Sequence, residues 1–438
     1  MPLKKRNYVM RFILAGIASL LSAATALADM PESTFVLAGR MIDVERGRVI
    51  QDQAIEIIDG KIVSIGPVER SYLDTATIID LSSSTVLPGL MDGHVHLTAD
   101  AGAHGYARLG LSRADSTIKG VVNAEKTLLA GFTTVRNVGS DGGFPDVALR
   151  KAVDAGDIVG PRIIAAGPSI GITGGHCDNN LLPPEYDRRA SGVGDGPWEV
   201  RELVRRNVKY GADVIKFCGT GGVLSKGTRI GAQQFTEEEM AALIDEAHML
   251  GLKVAVHAHG PEGIKSALRA GVDSVEHASL IDEEGIRLAK RNGAYLSMDI
   301  YVSDYILAEG ERIGILAESL EKERQVGARQ RSSFQRAHDA GVKMSFGSDA
   351  GVYPHGENAR QFAFMVKHGM TPMEAIQTAT VNTADLFGIS EIAGAIAVGR
   401  AADIIAVEGD PLADVSALEA VCFVMKGGRV FKEACNAD

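Results

Sequence analysis

The sequence predicts an α/β fold: a (β/α)8 TIM-like barrel with a small β-sandwich domain built from both chain ends. Three observations carry this expectation. From Leu90 onward, short apolar runs alternate with amphipathic stretches, the pattern of βα units around a parallel sheet. Both ends of the chain instead show short β-like runs around hairpin signals, Asp59-Gly60 near the start and Gly427-Gly428 near the finish. A length of 438 residues also exceeds the roughly 250 that a barrel needs and leaves room for a second, smaller unit.

The first element is a leader. Lys4, Lys5, Arg6 and Arg11 precede an apolar stretch over 12–21, and Ala26-Leu27-Ala28 supplies the small residues of a cleavage site, so 1–28 reads as a secretory signal. An uncleaved anchor is the alternative, although the stretch is short for a full span. No later segment is long and apolar enough to cross a bilayer, so the mature chain is expected to be exported, periplasmic or secreted, and free of the membrane. Residues 29–87 and 390–438 are assigned to the β-sandwich and 88–389 to the barrel. Barrel strands are expected at 93–97, 133–137, 162–166, 213–217, 253–257, 274–277, 295–299 and 343–348. Helices are clearest at 198–210, at 236–250, where Thr236 and Glu239 form a capping box, and at 371–386.

Composition narrows the function classes. A formal net charge of -11, with no basic stripe beyond the leader, argues against a nucleic-acid partner. The 50 glycines suit the many tight turns of a barrel. The four cysteines, Cys177, Cys218, Cys422 and Cys435, show no framework spacing, so they are expected to pack without structural dependence on them.

The chemistry begins in VLPGLMDGHVHLTAD. His94 and His96 stand two apart on an expected strand, so both imidazoles leave the same face and can grip one metal ion. Two surface histidines are the alternative, but Leu90, Met91 and Val95 make that neighbourhood apolar. Barrel enzymes place chemistry at the C-terminal ends of their strands, so polar residues ending apolar runs are the ones to collect. They are Lys216 in ADVIKF, His257 and His259 in VAVHAHG, His277 in SVEHAS and Asp349 in MSFGSDAG.

This set resembles the amidohydrolase superfamily of metal-dependent barrel hydrolases over nearly the whole mature chain. The resemblance implies two divalent ions, expected to be zinc, bridged by a carboxylated Lys216. His94, His96 and Asp349 would hold the first ion, and His257 and His277 the second. Burial between Ile215 and Phe217 favours a neutral lysine, the form that accepts carbon dioxide; pairing with Asp213 or Glu276 is the alternative. Paired ions can activate a shared water, with Asp349 taking its proton and passing it to the leaving nitrogen. His259 shares the side of His257 and is expected to support a ligand or face the substrate rather than bind metal.

More specific motifs are TTVRNVG, GPSIGITGGHCDN, IKFCGTGGVLSKG, HAHGPEGIKSALRAGVDSVEHAS and SDAGVYPHGENA. These resemble the Xaa-Pro dipeptidases (prolidases), the Xaa-Arg/Lys dipeptidases and the related ochratoxin-hydrolysing amidases. The resemblance implies hydrolysis of dipeptides or N-acyl amino acids, whose free carboxylate needs a cation or strong donors. Candidates are Arg136, His176, Arg229, Tyr301 and His355, with Arg136 alternatively pairing with a carboxylate under the barrel mouth. Asn137 departs from the aspartate common at its position, which bears on substrate preference. A cyclic-amide (imidazolonepropionase-like) or lactone hydrolase, and a non-catalytic binding barrel, are the rival readings. A homo-oligomer is expected from the resemblance alone.

Overall fold

The computed structural model describes residues 33–69, 76–140 and 142–435, and the expected leader lies outside them. Strands β1 (Thr34–Asp43), β2 (Arg48–Ile58), β3 (Lys61–Pro67) and β4 (Thr77–Pro88) open the described chain, and β13 (Ile404–Val407), β14 (Val421–Lys426) and β15 (Arg429–Glu433) close it. All seven form one sheet in the order β15-β14-β13-β4-β1-β2-β3. The two chain ends therefore meet as expected, but within a continuous curled sheet. Strand β4 is the reason: its first part pairs parallel with β1 and its last four residues pair antiparallel with β13. At the far edge, Ile62 N–H donates to Arg400 O at 2.9 Å and Ala402 N–H to Gly60 O at 2.8 Å, so the curl encloses its own core of Val36, Ile55, Leu81, Ile404 and Phe423. Gly60 needs its missing side chain there, because a Cβ would stand 2.5 Å from Gly427 O, at a φ of +74°.

The barrel strands are β5 (Leu90–Val95), β6 (Phe132–Asn137), β7 (Arg162–Ala165), β8 (Val214–Cys218), β9 (Lys253–Ala258), β10 (Ser274–His277), β11 (Tyr295–Ser297) and β12 (Met344–Ser345). They form parallel sheets β5-β6-β7 and β8 through β12. Every residue of β5 and β8 is buried, as expected for strands covered on both faces. Backbone hydrogen bonds link the two sheets on both sides: Ile170 N–H to Lys216 O at 2.8 Å, and Gly93 N–H to Phe346 O at 2.8 Å with Asp349 N–H to His94 O at 2.9 Å.

Between the strands run α1 (Arg113–Leu129), α2 (Pro145–Ala155), α3 (Pro197–Lys209), α4 (Glu237–Met249), α5 (Pro261–Arg269), α6 (Glu283–Asn292), α7 (Val302–Glu309) and α8 (Ala317–Asp339), followed by α9 (Arg360–Lys367), α10 (Pro372–Gln377) and α11 (Thr383–Phe387). The Thr236/Glu239 capping box forms, with Glu239 N–H donating to Thr236 Oγ1 at 3.2 Å and Thr236 N–H to the Glu239 carboxylate at 2.7 Å. The helix expected over 371–386 is instead interrupted by a π turn at Thr378–Asn382. Widening there frees the Thr378 carbonyl, which accepts from Thr383 Oγ1 at 2.6 Å and from Phe346 N–H at 3.1 Å just beyond β12.

The cysteine expectation is overturned. Cys177 is bonded to Cys218 and Cys422 to Cys435, with Cα separations of 6.0 and 4.8 Å. Pairing follows from which segments the fold brings together, a loop after β7 with the end of β8 and β14 with the residues after β15, information that spacing along the chain does not carry. Among the described residues no helix is long and apolar enough to cross a membrane.

Candidate metal centre

Strand parity delivers the first cluster. His94 lies in β5 and His96 directly follows it, and their Nε2 atoms lie 3.4 and 3.3 Å from Asp349 Oδ1. One ligand atom from each of the three lies within 4.8 Å of the others, close enough to share an ion. Asp349 sits four residues past β12, at a φ of +60°. His277, ending β10, has a φ of +67° and is followed by Ala278 at +46°. Left-handed backbone costs a non-glycine residue about 1–3 kcal/mol, so the fold carries strain at two candidate ligands, where function commonly retains it.

A second cluster joins His257, His259 and His277, again within 4.8 Å, and a third joins His277, Asp299 and Asp349. His257 Nε2 is buried with no hydrogen-bond partner. Such an orphan costs about 1–3 kcal/mol unless something binds it, and a cation accepting its lone pair resolves the deficit. Lys216 is also buried, and its Nζ forms no hydrogen bond or ion pair among the described residues. Burial lowers its pKa to about 8, with Glu276 opposing and Arg136 adding to the shift. Burial likewise drops His94 to about 4 and holds His257 and His259 well below the ordinary imidazole value. Their lone pairs are therefore free of protons at neutral pH, as metal ligation requires. The donor set, the orphaned nitrogen and the unpaired lysine together suit divalent ions.

Three of the rings are oriented from behind. His94 Nδ1 bonds Glu276 Oε2 at 3.0 Å; His277 Nδ1 bonds both Asp299 oxygens at 2.9 and 3.0 Å; His259 Nδ1 bonds Ser279 Oγ at 2.8 Å. Gln330 on α8 donates to Asp299 Oδ1 at 2.9 Å. Asp92, raised by burial to about 6, accepts from Asn358 Nδ2 at 2.8 Å and from Ser348 Oγ, tying β5 to the segment that carries Asp349. Such partners fix the tautomer and aim the remaining nitrogen inward.

The other sequence candidates are distributed unevenly. His176 comes to the cluster, its ring stacked on His257 with centroids 4.0 Å apart. Arg136 does not present its guanidinium to a ligand: it is buried, donating to Glu276 Oε1 at 2.7 Å, Ser274 Oγ at 3.1 Å and Gly93 O at 2.7 Å, the alternative noted from sequence. His355 spends Nε2 on His96 O at 3.2 Å and Nδ1 on Thr127 Oγ1 at 2.9 Å, so it braces the backbone of His96 instead of facing a substrate. Tyr301 is buried against Tyr353 and accepts from Arg360 Nη1 at 3.1 Å, while Arg229 is exposed. Asn137 is structural, accepting from Leu97 N–H at 2.7 Å and donating to Asp146 Oδ2 at 3.2 Å. Sequence reasoning passed over Asp299, although it ends an apolar run as the selected residues do.

The Amidohydrolase family profile matches residues 85–431. Ochratoxinase from Aspergillus niger is 31% identical over 433 residues, covering 93% of this chain and 88% of that protein. A crystal structure of a Xaa-Pro dipeptidase with bound methionine is 40% identical and superposes with a TM-score of 0.85, covering 92% of this chain and all of the other. A prolidase complexed with N-methylphosphonate-L-proline is 31% identical, with a TM-score of 0.83 over 92% of this chain and 100% of that one. A pair of histidines at the end of the first barrel strand, a buried lysine on the fourth, histidines on the fifth and sixth and an aspartate after the eighth thus sit within a match that spans most of the sequence, and the chain belongs to the amidohydrolase family.

Proposed function

We propose that the protein is a binuclear metal-dependent amide hydrolase that cleaves dipeptides or short N-acyl amino acids. The observation that carries the reading is the clustering of His94 and His96 with Asp349, and of His257 with His277, within electrostatic reach of the buried Lys216. The eight parallel strands are read as one closed barrel with this cluster at their C-terminal ends. His94, His96 and Asp349 would hold one divalent ion, zinc by preference, and His257 and His277 the other, with Lys216 carboxylated between them. Ions bound there supply an activated water and polarise the scissile carbonyl.

The chain's own groups do the rest. Burial favours a protonated Asp349, but His94, His96 and His277 around it reverse that and hold its carboxyl below the usual range. It is therefore a carboxylate at neutral pH, fit to take a proton from water and release it to the leaving nitrogen. His176, pushed by burial to about 3, offers a neutral imidazole as part of the wall. Support for the substrate class comes from the relatives: methionine and the phosphonate of proline, bound in two of them, both carry an α-carboxylate. Export and assembly as a homo-oligomer belong to the same proposal.

The test is metal analysis with a substrate panel. Purified protein should bind about two zinc ions per chain, lose turnover to a chelator and regain it with zinc. Asp349→Asn should fold but lose nearly all activity on Xaa-Pro, Xaa-Arg, Xaa-Lys or N-acyl amino acids. Full activity of the chelated protein, or activity confined to cyclic amides or lactones, rejects the proposal.

A further inference from the structure

The segment between β7 and α3 has little regular structure of its own, one 3-10 turn at Pro184–Tyr186, yet it delivers His176 to the site. The His176 ring lies on the His257 ring with planes only 16° apart, and its Nδ1 bonds Ser225 Oγ at 2.8 Å. Ser225 belongs to the next loop, after β8. There Gly222 is pressed against both rings: a Cβ would stand 2.4 Å from His176 Nδ1 and 2.7 Å from His257 Nε2. Close packing of this kind needs the segment held in place. Noncovalent bonds shape the turn locally, Gly174 N–H donating to Asp178 Oδ2 at 2.8 Å and His176 N–H to Gln234 Oε1 at 3.0 Å, and a covalent tie adds to them.

The covalent tie is the next residue. Cys177 is bonded to Cys218, the last residue of β8 and two residues beyond Lys216 on that strand. Gly171 also leaves no room, with Cys177 Cβ 2.7 Å from where its own Cβ would be. We propose that the Cys177–Cys218 disulfide is a positioning device for the active site, tying the His176 segment to the strand that carries Lys216 and keeping His176 seated on His257. Removing the bond enlarges the open ensemble of a segment whose ends are 41 residues apart, so His176 leaves its seat while the barrel stays folded. The kinetic consequence rests on the proposed hydrolase function; the structural one does not. Cys422–Cys435, which joins β14 of the seven-stranded sheet to the residues just past β15, serves as the control.

The experiment uses zinc-loaded protein of the full chain and compares C177S/C218S with C422S/C435S, each with and without His176→Ala. C177S/C218S should speed limited proteolysis within 171–196 and lower kcat/KM by about tenfold, the size of one hydrogen bond, chiefly through KM, with bound zinc unchanged. His176→Ala should add nothing in that background, yet cause its full loss in C422S/C435S, which by itself keeps wild-type kinetics. Reduction of the wild type with a phosphine, thiols counted by mass, should reproduce the effect and reoxidation should reverse it, which covers the case of a serine variant that folds poorly. Additive losses from His176→Ala and C177S/C218S, or unchanged proteolysis and kinetics with all thiols free, overturn the proposal. If no amide is hydrolysed by any form, the functional reading fails; faster cleavage within 171–196 on reduction then still supports the tie, and its absence overturns it.

Discussion

His94 Nδ1 lies 3.0 Å from Glu276 Oε2, so a candidate metal ligand on β5 is aimed by a carboxylate that reaches it from β10 across the barrel interior. The other oxygen, Oε1, accepts from Arg136 Nη2 at 2.7 Å and from Ser274 Oγ at 2.6 Å. Burial by itself would push the Glu276 carboxyl up, but Arg136, with His94, holds it well below the usual carboxylate range. One buried anion thus both neutralises Arg136 and orients His94.

Glu276→Gln keeps the shape and removes the charge. Arg136 is then buried without a counter-ion, which costs about 3–5 kcal/mol in a urea titration. Zinc affinity should fall by about 10–100-fold as His94 loses its orienting acceptor, measured by competition with a chromophoric chelator. Wild-type stability together with wild-type zinc affinity would show that the pairing is incidental.

Asp299 performs the corresponding task for His277. Its two oxygens hold Nδ1, and Gln330 from α8 fixes the carboxylate in turn. Asp299→Asn should lower zinc affinity by about tenfold or more, and Gln330→Ala by less. Because Gln330 acts through Asp299, the double variant should lose no more than Asp299→Asn alone. Strictly additive losses would place Gln330 on a separate route.

What the sequence made legible, and what it did not, divides along physical lines. The run SVEH was readable as a strand from its place in the regular alternation of short runs and amphipathic helical stretches, and β10 spans Ser274–His277 as expected. The Thr236/Glu239 box was readable because three residues decide it. The fate of Arg136 was not, since its partner, Glu276, comes from a strand 140 residues away. The same holds for Cys177–Cys218 and for the π turn, whose freed carbonyl is matched by a backbone N–H beyond β12. Asp299 was recoverable by the strand-end rule applied to SMDIY, had acidic residues been collected as readily as histidines.

Asn137 shows why a departure from a family's usual residue can be structural. Its amide donates to Asp146 Oδ2 at 3.2 Å and to Gly139 O at 3.0 Å while its oxygen accepts from Leu97 N–H at 2.7 Å. Asp146 is already raised by burial. Asn137→Asp would set two buried carboxyls against each other, costing about 1–3 kcal/mol at neutral pH. Their shared pKa rises in the folded state, so the deficit should shrink as pH falls and one of them takes a proton. Denaturant midpoints for wild type and variant at several pH values check this; a deficit independent of pH would mean that the carboxyls do not meet.

Glu323 on α8 gives the opposite kind of pH dependence from the usual salt-bridged acid. It is buried, accepts a hydrogen bond from Ser303 Oγ, and is raised by burial from the ordinary 4.5 to about 7, with Asp299 adding to the rise. Below about 4.5 the group is protonated in both folded and unfolded chains and has no effect on stability. Between there and about 7 the unfolded chain releases its proton first, so stability falls as pH rises, and above that the full cost remains. The cost is on the order of 3 kcal/mol. Glu323→Gln retains an acceptor for Ser303 and never ionises, so it should be more stable than wild type at pH 8 and nearly equal to it at pH 4.5. Thermal unfolding at the two pH values measures the difference, and a variant less stable at pH 8 would show that the ionised carboxylate has a favourable partner in the folded chain.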